Sequence, residues 1–458
     1  MIDIEKVHKI YFIGIGGIGM SALARYFRFH GREVSGYDKT ETPLTQNLAA
    51  EGIAVHYTDD ISQAAINADL VVYTPAVPPD FGELVYFRGH GYNVVKRSDV
   101  LGAITKSSFN ICVAGTHGKT TISTMIAHLL RDSGYGANAF LGGISVNYNS
   151  NFWSNSRNLC VVEADEYDRS FLKLNPDIAV ISAMDADHLD IYGTEEALQE
   201  AFIEFSGKVK PGGILFSKYG LAKDKDLKSE HHFRYHTVNE QADIHAEKIR
   251  LENGGYFFNV VFQQWTLRDL RLEMGGLHNV ENALAAVAVA HSLGVDDEKI
   301  KAAVGSFKGV RRRFEYVVKS PSLVFIDDYA HHPEELRALI SGAKNLFPEM
   351  KCTVIFQPHL FSRTKDFAAS FAKSLDLADA VVLLPIYPAR EKPMEGVTSS
   401  IILDKMAIAE KCIVEKWNLV EWVKENIQSK NKKLNLLITA GAGDIDAEVK
   451  VLKQILEN

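Results

Sequence analysis

The chain has 458 residues, of which 46% are hydrophobic and 24% charged, and its formal net charge is −8. This length predicts about three domains, and this composition is typical of soluble globular proteins. Because the net charge is negative and the basic residues are scattered, nucleic acids and anionic membranes are disfavoured as partners.

The sequence also lacks the marks of a membrane or secreted protein. No uncharged apolar run approaches the ~20 residues of a membrane span, and the amino-terminal residues lack the apolar region of a signal peptide. The cysteines show no metal-ligand spacing and are interpreted as buried free thiols of a reducing compartment; they are Cys112, Cys160, Cys352 and Cys412. We therefore expect a cytoplasmic protein without membrane insertion.

The first segment has the pattern of a strand, a glycine turn and a helix. An apolar run at residues 9–13 leads into a G-x-G-x-x-G turn at residues 14–19, a helical pattern follows, and a second strand pattern ends at Asp38. This arrangement is typical of dinucleotide-binding turns, because glycines let the backbone approach a diphosphate at a helix N-terminus. NAD, FAD and a UDP-sugar all remain candidates, and so does a tight turn without a ligand.

A second glycine turn begins the next segment, near residue 106. An apolar strand pattern is followed by a polar loop and an amphipathic helix, and we call this loop the phosphate loop: Gly115, Thr116, His117, Gly118, Lys119, Thr120 and Thr121. Its backbone N–H groups are suited to phosphate, Lys119 to the outer phosphates and the Thr120 hydroxyl to Mg²⁺. Val113 stands where the full Walker pattern has glycine, so a simple strand-to-helix turn is the alternative.

Polar clusters follow the next two apolar strands of this segment. Glu163, Asp165, Glu166 and Asp168 come after the first, and Mg²⁺ bound to nucleotide phosphates would offset their charge. Glu163 is nearest the strand end and is our first candidate ligand. His188, among aspartates after the second strand, is either a metal ligand or a charge-balanced turn residue, because ligands gather at the carboxyl ends of parallel strands.

Two other features of this segment are more ambiguous. The polar stretch at residues 222–236 is interpreted as a solvated loop that carries His231, His232 and His236. Farther along, His278, Asn279 and Asn282 open an alanine-rich helix. The two asparagines suit an adenine edge, and capping of the helix is the alternative.

The third segment, which starts near Arg313, is again α/β. Strand patterns at residues 323–326, 353–356, 381–384 and 434–439 alternate with helices such as Pro333–Leu346. Polar residues again follow the strands, including Asp328, Tyr329 and Arg363. The arginines at 311–313 are either a solvated hinge or a source of guanidinium for a phosphoryl group.

These clusters, in this order, resemble the Mur ligases of bacterial cell-wall synthesis over essentially the whole chain. The motifs that carry the resemblance are the phosphate loop, residues 163–166, 187–190, 278–282, 312–315 and 327–333. The resemblance implies a Rossmann-like UDP-sugar-binding domain at residues 1–105 and a central ATP-binding domain with a P-loop ATPase-type parallel sheet at 106–312. It implies a Rossmann-like C-terminal domain at 313–458 that binds the amino acid and closes on ATP.

The glycine turn and residues 357–364 resemble, within the family, the ligases that join L-alanine to the lactyl carboxylate of UDP-N-acetylmuramate. ATP would phosphorylate that carboxylate, with Mg²⁺ or Mn²⁺, and the alanine amine would then displace phosphate. The implied roles are as follows: ATP contacts at residues 115–121, His278, Asn279, Asn282, Arg313 and Asp328; metal ligands Thr120, Glu163 and His188; catalysis by Lys119, His188 and Arg313; substrate contacts at Gly16, Gly17, Ile18, Gly19, Asp38, Tyr329 and Arg363.

Three other functions compete with this interpretation. A sister ligase that attaches recycled tripeptide shares the amino-terminal motifs. A NAD-dependent oxidoreductase would explain only the first glycine turn. A regulatory nucleotide-binding module without chemistry would not need so many clusters of polar residues at the ends of strands. Leu360 departs from the resemblance, because the alanine ligases usually carry an arginine there. The chain is expected to act as a monomer or a homodimer on small molecules.

Overall fold

The computed structural model describes residues 2–155, 157–185, 189–252, 254–389, 391–428 and 434–457. It confirms the α/β class, with strands in sheets of five, ten and six. Contacts divide the chain into two compact units: Met1–Lys248 with Phe258–Leu270 and Glu281–Phe307, and Ile249–Phe257 with Arg271–Val280 and Lys308–Asn458. The domain boundaries near residues 105 and 312 stay predictions.

The amino-terminal sheet is parallel and has the order β3-β2-β1-β4-β5. Its central strand is buried on both faces, as expected where helices cover a parallel sheet. The elements are β1 Lys9–Ile13, α1 Ile18–Phe29, β2 Glu33–Tyr37, α2 Pro43–Ala50, β3 Ala54–His56, β4 Leu70–Tyr73, α3 Gly82–Gly89, β5 Val94–Lys96 and α4 Arg97–Thr105.

The ten-stranded sheet has the order β15-β14-β13-β12-β11-β10-β6-β9-β7-β8. Strands β10, β6 and β9 at its centre are parallel, so the chain leaves all three at the same edge. The elements are β6 Phe109–Ala114, α5 Lys119–Asp132, β7 Asn138–Ser145, β8 Ser150–Trp153, β9 Leu159–Glu163, β10 Ile178–Ile181, α6 Leu189–Tyr192, α7 Glu195–Ser206, β11 Ile214–Lys218, β12 His231–His236, β13 Ile244–Glu252, β14 Gly255–Phe262, β15 Trp265–Leu272, α8 Leu277–Ser292 and α9 Asp297–Ser306.

The interpretation of residues 222–236 as a solvated loop is wrong at its end. His231–His236 forms β12, parallel to β11, and Tyr235 within it is 1% exposed. The His232 ring lies 2.7 Å from the Ser217 hydroxyl through its Nε2 atom. The alternation of Phe233 and Tyr235 with polar residues was the strand signal, and the histidines obscured it.

The third sheet has the order β16-β17-β21-β18-β19-β20, with β16 antiparallel to β17. The predicted helix Pro333–Leu346 is confirmed, and proline at its first turn fixes the backbone there. The elements are β16 Glu315–Lys319, β17 Leu323–Asp328, α10 Pro333–Leu346, β18 Lys351–Phe356, α11 Phe361–Leu375, β19 Ala380–Leu383, α12 Ser400–Leu403, β20 Lys411–Ile413, α13 Leu419–Val423, β21 Asn435–Ala440 and α14 Asp446–Leu456.

The expectation of free cysteine thiols is confirmed. All four cysteines are free thiols, and three of them are buried. Among the helices of the described residues, none combines the length and apolarity that a membrane crossing needs.

A buried polar cluster lies beside β1 in the amino-terminal sheet. Glu83 is fully buried, and its Oε2 atom accepts a hydrogen bond of 2.5 Å from the Tyr11 hydroxyl. The His56 Nε2 atom lies 2.6 Å from the same hydroxyl. Burial raises the pKa of Glu83 to about 7, with the Asp59 and Asp60 carboxylates adding to the shift.

This pKa predicts a pH-dependent stability. Between the ordinary pKa of a glutamate and the raised pKa of Glu83, the folded chain holds a proton at Glu83 and the unfolded chain does not. Protonated Glu83 therefore stabilises the folded chain at low pH, and this stabilisation is lost as pH rises through about 7. Glu83→Gln should therefore gain stability relative to the wild type as pH rises from about 5.5 to about 8, by at most about 1.4 kcal/mol per pH unit. Thermal unfolding midpoints across this range measure the difference.

Glu33→Gln is the matched control, because Glu33 lies in the same sheet with an exposed side chain. Its difference from the wild type should stay constant with pH. A constant difference for Glu83→Gln as well would contradict the pH dependence assigned to the buried carboxyl.

Candidate active site

The phosphate loop joins the end of β6 to the start of α5. Gly115 and Gly118 have φ of 131° and 82°, which side chains rarely adopt. A Cβ atom at Gly115 would lie 2.3 Å from the Ser182 hydroxyl. The loop therefore needs glycine at both positions, for its conformation and for the close approach of the next strand.

The residues that follow β10 form hydrogen bonds with this loop. Ser182 donates hydrogen bonds from its hydroxyl to the carbonyls of Ala114 and His117. The Thr116 N–H donates to the Ala183 carbonyl at 3.1 Å, and the Asp185 N–H donates to the Thr116 hydroxyl at 3.2 Å. The residues after β10 thus hold the loop from the side.

Lys119 occupies the centre of the site. Its ammonium donates to the Gly115 carbonyl and to Glu166 Oε1, both at 2.7 Å. The Glu166 side chain is fully buried, and burial raises its pKa while the Lys119 charge opposes the shift. Sequence reasoning missed this partner. It grouped Glu166 with three other carboxylates, and only the fold shows which of them meets the lysine.

Thr120 and Glu163 face each other beside this pair. The Thr120 hydroxyl donates to Glu163 Oε1 at 3.0 Å, and the Gly142 N–H donates to Glu163 Oε2 at 2.9 Å. Burial raises the pKa of Glu163, while the Lys119 charge opposes the shift; a further cation at its oxygens would act in the same direction as Lys119. A hydroxyl and a carboxylate oxygen are donors that Mg²⁺ prefers, with phosphate and water completing its shell.

The other predicted metal ligand, His188, lies outside the described residues. Within residues 2–185 and 189–457, less the gaps given above, no group of three or more His, Cys, Asp and Glu side chains is placed to hold a metal ion.

The residues proposed for the nucleotide base fall at the start of α8. Asn282 lies against the phosphate loop, because a Cβ atom at Gly118 would lie 3.0 Å from its Oδ1 atom. The Asn279 amide donates to the Gly275 carbonyl at 2.6 Å. This contact at the start of the helix agrees with the capping role that the sequence left as an alternative. The His278 ring folds over Gly276, where a Cβ atom would lie 2.3 Å from it.

The first glycine turn is held by the acidic residue at the end of β2. Asp38 Oδ2 accepts a hydrogen bond of 2.7 Å from the Gly16 N–H. A Cβ atom at Gly16 would lie 2.6 Å from Thr45 and 2.8 Å from Asp38. Gly17 caps α1, and Ile18 is its first residue. Asp38 therefore shapes the turn.

The second unit gathers charged residues at the end of β17. Asp328 is held by the N–H groups of Phe314 and Ala330, each 2.7 Å from one of its oxygens, and burial raises its pKa to about 6. The guanidiniums of Arg312 and Arg313 lie 4.9 and 5.6 Å from the centre of the Tyr329 ring. Tyr329 thus has cations over its face, an arrangement that stabilises both partners.

The two arginines differ in their surroundings. Arg312 is one-fifth exposed and lies 3.7 Å from Asp327 and 3.4 Å from Asp446. Asp327 is buried, and burial raises its pKa to about 7. Arg313 is exposed. The geometry gives Arg312 a structural role and leaves the Arg313 side chain accessible.

The proposed amino-acid residue, Arg363, lies in the first turn of α11. Its guanidinium is 3.5 Å from His359 Nδ1, and the His359 ring lies 6.1 Å from that of His331. Leu360, which departs from the resemblance, is the N-cap residue of α11 with φ of 69°. This left-handed conformation is unusual for leucine and fixes the entry of the helix.

Comparison with known proteins identifies the family. The chain matches the Mur ligase family, catalytic domain, at residues 9–109, the Mur ligase middle domain at 113–290, and the Mur ligase, glutamate ligase domain, at 312–443. The chain belongs to the Mur ligase family.

Individual Mur ligases are similar over the whole chain. The UDP-N-acetylmuramate–L-alanine ligases of Flavobacterium johnsoniae and Parabacteroides distasonis are 47% and 48% identical to it, over 99% of this chain and 99% and 98% of theirs. A solved UDP-N-acetylmuramate–alanine ligase from Thermotoga maritima has a TM-score of 0.83 at 30% identity, covering 98% of this chain and 99% of its own. A murein peptide ligase from Psychrobacter arcticus shares the fold, with a TM-score of 0.68 at 24% identity and the same coverage.

The Lys119–Glu166 pair predicts separable effects on turnover and stability. Lys119→Ala should abolish ATP turnover, because the phosphates lose their cation, and should also destabilise the fold by about 1–3 kcal/mol, because Glu166 stays buried without its partner. Adding Glu166→Gln should restore much of the stability but none of the turnover. Phosphate release and thermal unfolding measure the two effects.

Lys210 offers a matched control in the same domain. Its ammonium lies 2.7 Å from Asp177 and also donates to a main-chain carbonyl, that of Ser108. Asp177 directly precedes β10 and Ser108 directly precedes β6, so this pair lies at the edge of the sheet opposite the phosphate loop. Lys210→Ala should keep wild-type turnover. Normal turnover in Lys119→Ala would remove Lys119 from the reaction.

Proposed function

We propose that this chain is an ATP-dependent ligase that joins L-alanine to the lactyl carboxylate of UDP-N-acetylmuramate in peptidoglycan precursor synthesis. The observation that carries the proposal is near-complete coverage at 47–48% identity by ligases of that name. The phosphate loop and its partners Glu166 and Glu163 supply the chemistry that such a reaction needs. The oxidoreductase and regulatory alternatives leave these residues unexplained.

The reaction must first turn a poor electrophile into a good one. A carboxylate resists attack by an amine until it carries a leaving group, and ATP can supply this as an acyl phosphate. Two anions must then approach each other, so cations have to offset their repulsion. Lys119 is the fixed cation of the phosphate loop, and Glu166 and the Gly115 carbonyl orient its ammonium.

A Mg²⁺ ion would supply further charge neutralisation at the phosphates when bound. Thr120 and Glu163 are the described residues that would hold it, because their oxygens lie 3.0 Å apart beside Lys119. His188 remains a proposed third ligand from the resemblance. The Thr120 hydroxyl would turn from Glu163, which it now contacts, toward the ion.

The amine donor is assigned to the second unit. We propose that Arg363 pairs with the alanine carboxylate and that Tyr329 contacts the amino acid. Arg363 carries a planar fork of donors that matches a carboxylate, and its guanidinium lies 3.5 Å from His359 Nδ1. Arg313 and Asp328 are proposed for the nucleotide, and Arg313 has the exposure that this role requires.

The choice of amine donor tests the proposal. We expect phosphate release from ATP only when UDP-N-acetylmuramate, L-alanine and a divalent cation are all present. Glycine, L-serine and the recycled tripeptide L-alanyl-γ-D-glutamyl-meso-diaminopimelate, each offered in place of alanine, should give far lower kcat/KM. Faster turnover with tripeptide than with alanine would replace the proposal by the tripeptide ligase.

A further inference from the structure

We propose that Arg97 binds the diphosphate of the nucleotide sugar at the first glycine turn and that Asp165 orients its guanidinium. This inference rests on the proposed function, because the diphosphate belongs to the substrate named there. Arg97 lies far from the turn in sequence, and no motif marks it.

The fold places the Arg97 side chain directly against the turn. A Cβ atom at Gly19 would lie 2.9 Å from one terminal nitrogen of Arg97 and 3.1 Å from its Cδ atom. Gly19 is in the first turn of α1, so the guanidinium lies beside the N–H groups of that helix N-terminus. The absent side chain at Gly19 is what makes room for Arg97.

Arg97 lies at a helix end that favours anions, and the Asp165 and Asp168 carboxylates already lie beside Arg97 and Lys96. Lys96 is the N-cap of α4 and Arg97 its first residue, and cations at this end of a helix are opposed by its dipole. The Asp99 carboxylate offsets this unfavourable interaction at Lys96, where it accepts a hydrogen bond of 3.2 Å from the main-chain N–H. A diphosphate between the N-termini of α1 and α4 would find two helix dipoles and one guanidinium in its favour.

Asp165 lies close to the Arg97 guanidinium but leaves its N–H donors available for other partners. Asp165 Oδ2 lies 3.7 Å from a terminal nitrogen of Arg97, which is beyond hydrogen-bond distance. The other oxygen of Asp165 accepts a hydrogen bond from the Tyr167 N–H at 3.1 Å. The Arg97 side chain keeps 22% exposure. A guanidinium has five N–H donors, so several remain for phosphate oxygens.

The same residues connect the substrate to the phosphate site. Arg97 and Asp165 line a small recess together with Glu163, the carboxylate proposed for the metal. Arg97 therefore lies between the turn that would bind the diphosphate and the residues that would bind ATP. A substrate held by Arg97 would have one end fixed while its carboxylate reaches the other site.

Binding measurements on substituted proteins test this assignment. Arg97→Gln should weaken binding of UDP and of UDP-N-acetylmuramate, measured by calorimetry without ATP, by about 10- to 100-fold, the range of a charge-assisted hydrogen bond. ATP binding should not change. Arg97→Lys should weaken UDP binding by a smaller factor, because lysine keeps the charge but not the bidentate fork of arginine. This variant also tests the proposal if Arg97→Gln fails to fold.

Lys96→Gln is the matched control. It removes the same charge from the same helix end, but the Lys96 ammonium pairs with Asp168 at 2.9 Å, whereas the Arg97 side chain lies against Gly19. Its UDP affinity should stay within about twofold of the wild type, as expected for a partly exposed ion pair. An equal loss in Lys96→Gln, or unchanged UDP binding in both Arg97 variants, would overturn the role of Arg97.

The role of Asp165 has its own test. If Asp165 acts through Arg97, Asp165→Asn combined with Arg97→Gln should weaken UDP binding no more than Arg97→Gln alone, whereas additive losses would overturn that role. Failure of the proposed function is distinguishable from both results. In that case, wild-type protein itself would not release phosphate with alanine, whatever the affinity of the Arg97 variants for UDP.

Discussion

The first unit depends on one electrostatic constraint, a fully buried carboxylate that must have a cation. Glu166 is removed from solvent, and Lys119 supplies the charge at 2.7 Å. A buried ion pair contributes little net stability, but breaking it is costly. The buried carboxylate therefore holds the lysine in one place, which is the preorganisation that its proposed role in catalysis requires.

Parallel topology explains how the other groups reach this lysine. Strands β6, β9 and β10 end at one edge of the sheet, and each delivers polar residues there. β6 supplies the phosphate loop, β9 supplies Glu163 and Glu166, and β10 supplies Ser182. The amino-terminal sheet uses the same design, since Asp38 after β2 holds Gly16 after β1. In both sheets a strand-end side chain fixes a glycine turn at a helix N-terminus.

The sequence was sufficient for the features that depend on neighbouring residues. The phosphate loop could be predicted because glycine, lysine and threonine occur together between a strand and a helix. The place of Glu163 at a strand end could be predicted from the apolar run before it, and it is the last residue of β9; its role as a metal ligand stays a prediction. The helix Pro333–Leu346 was read to its exact observed bounds from its proline and its apolar spacing.

Features that depend on tertiary contacts could not be predicted in this way. Glu166 meets Lys119 because β6 and β9 pair side by side in the sheet, a contact that no composition rule indicates. Strand β12 was mistaken for a loop because its histidines concealed an alternating pattern. The contact of Arg97 with Gly19 joins two elements whose proximity only the assembled sheet reveals.

The central claim is that nucleotide energy enters at Lys119 and activates a carboxylate by phosphorylation. The most direct measurement follows oxygen-18 from the lactyl carboxylate of labelled UDP-N-acetylmuramate during turnover with ATP and L-alanine. The account predicts that each released phosphate carries one labelled oxygen and that ADP is the other product. Unlabelled phosphate, or release of AMP and pyrophosphate, would contradict it.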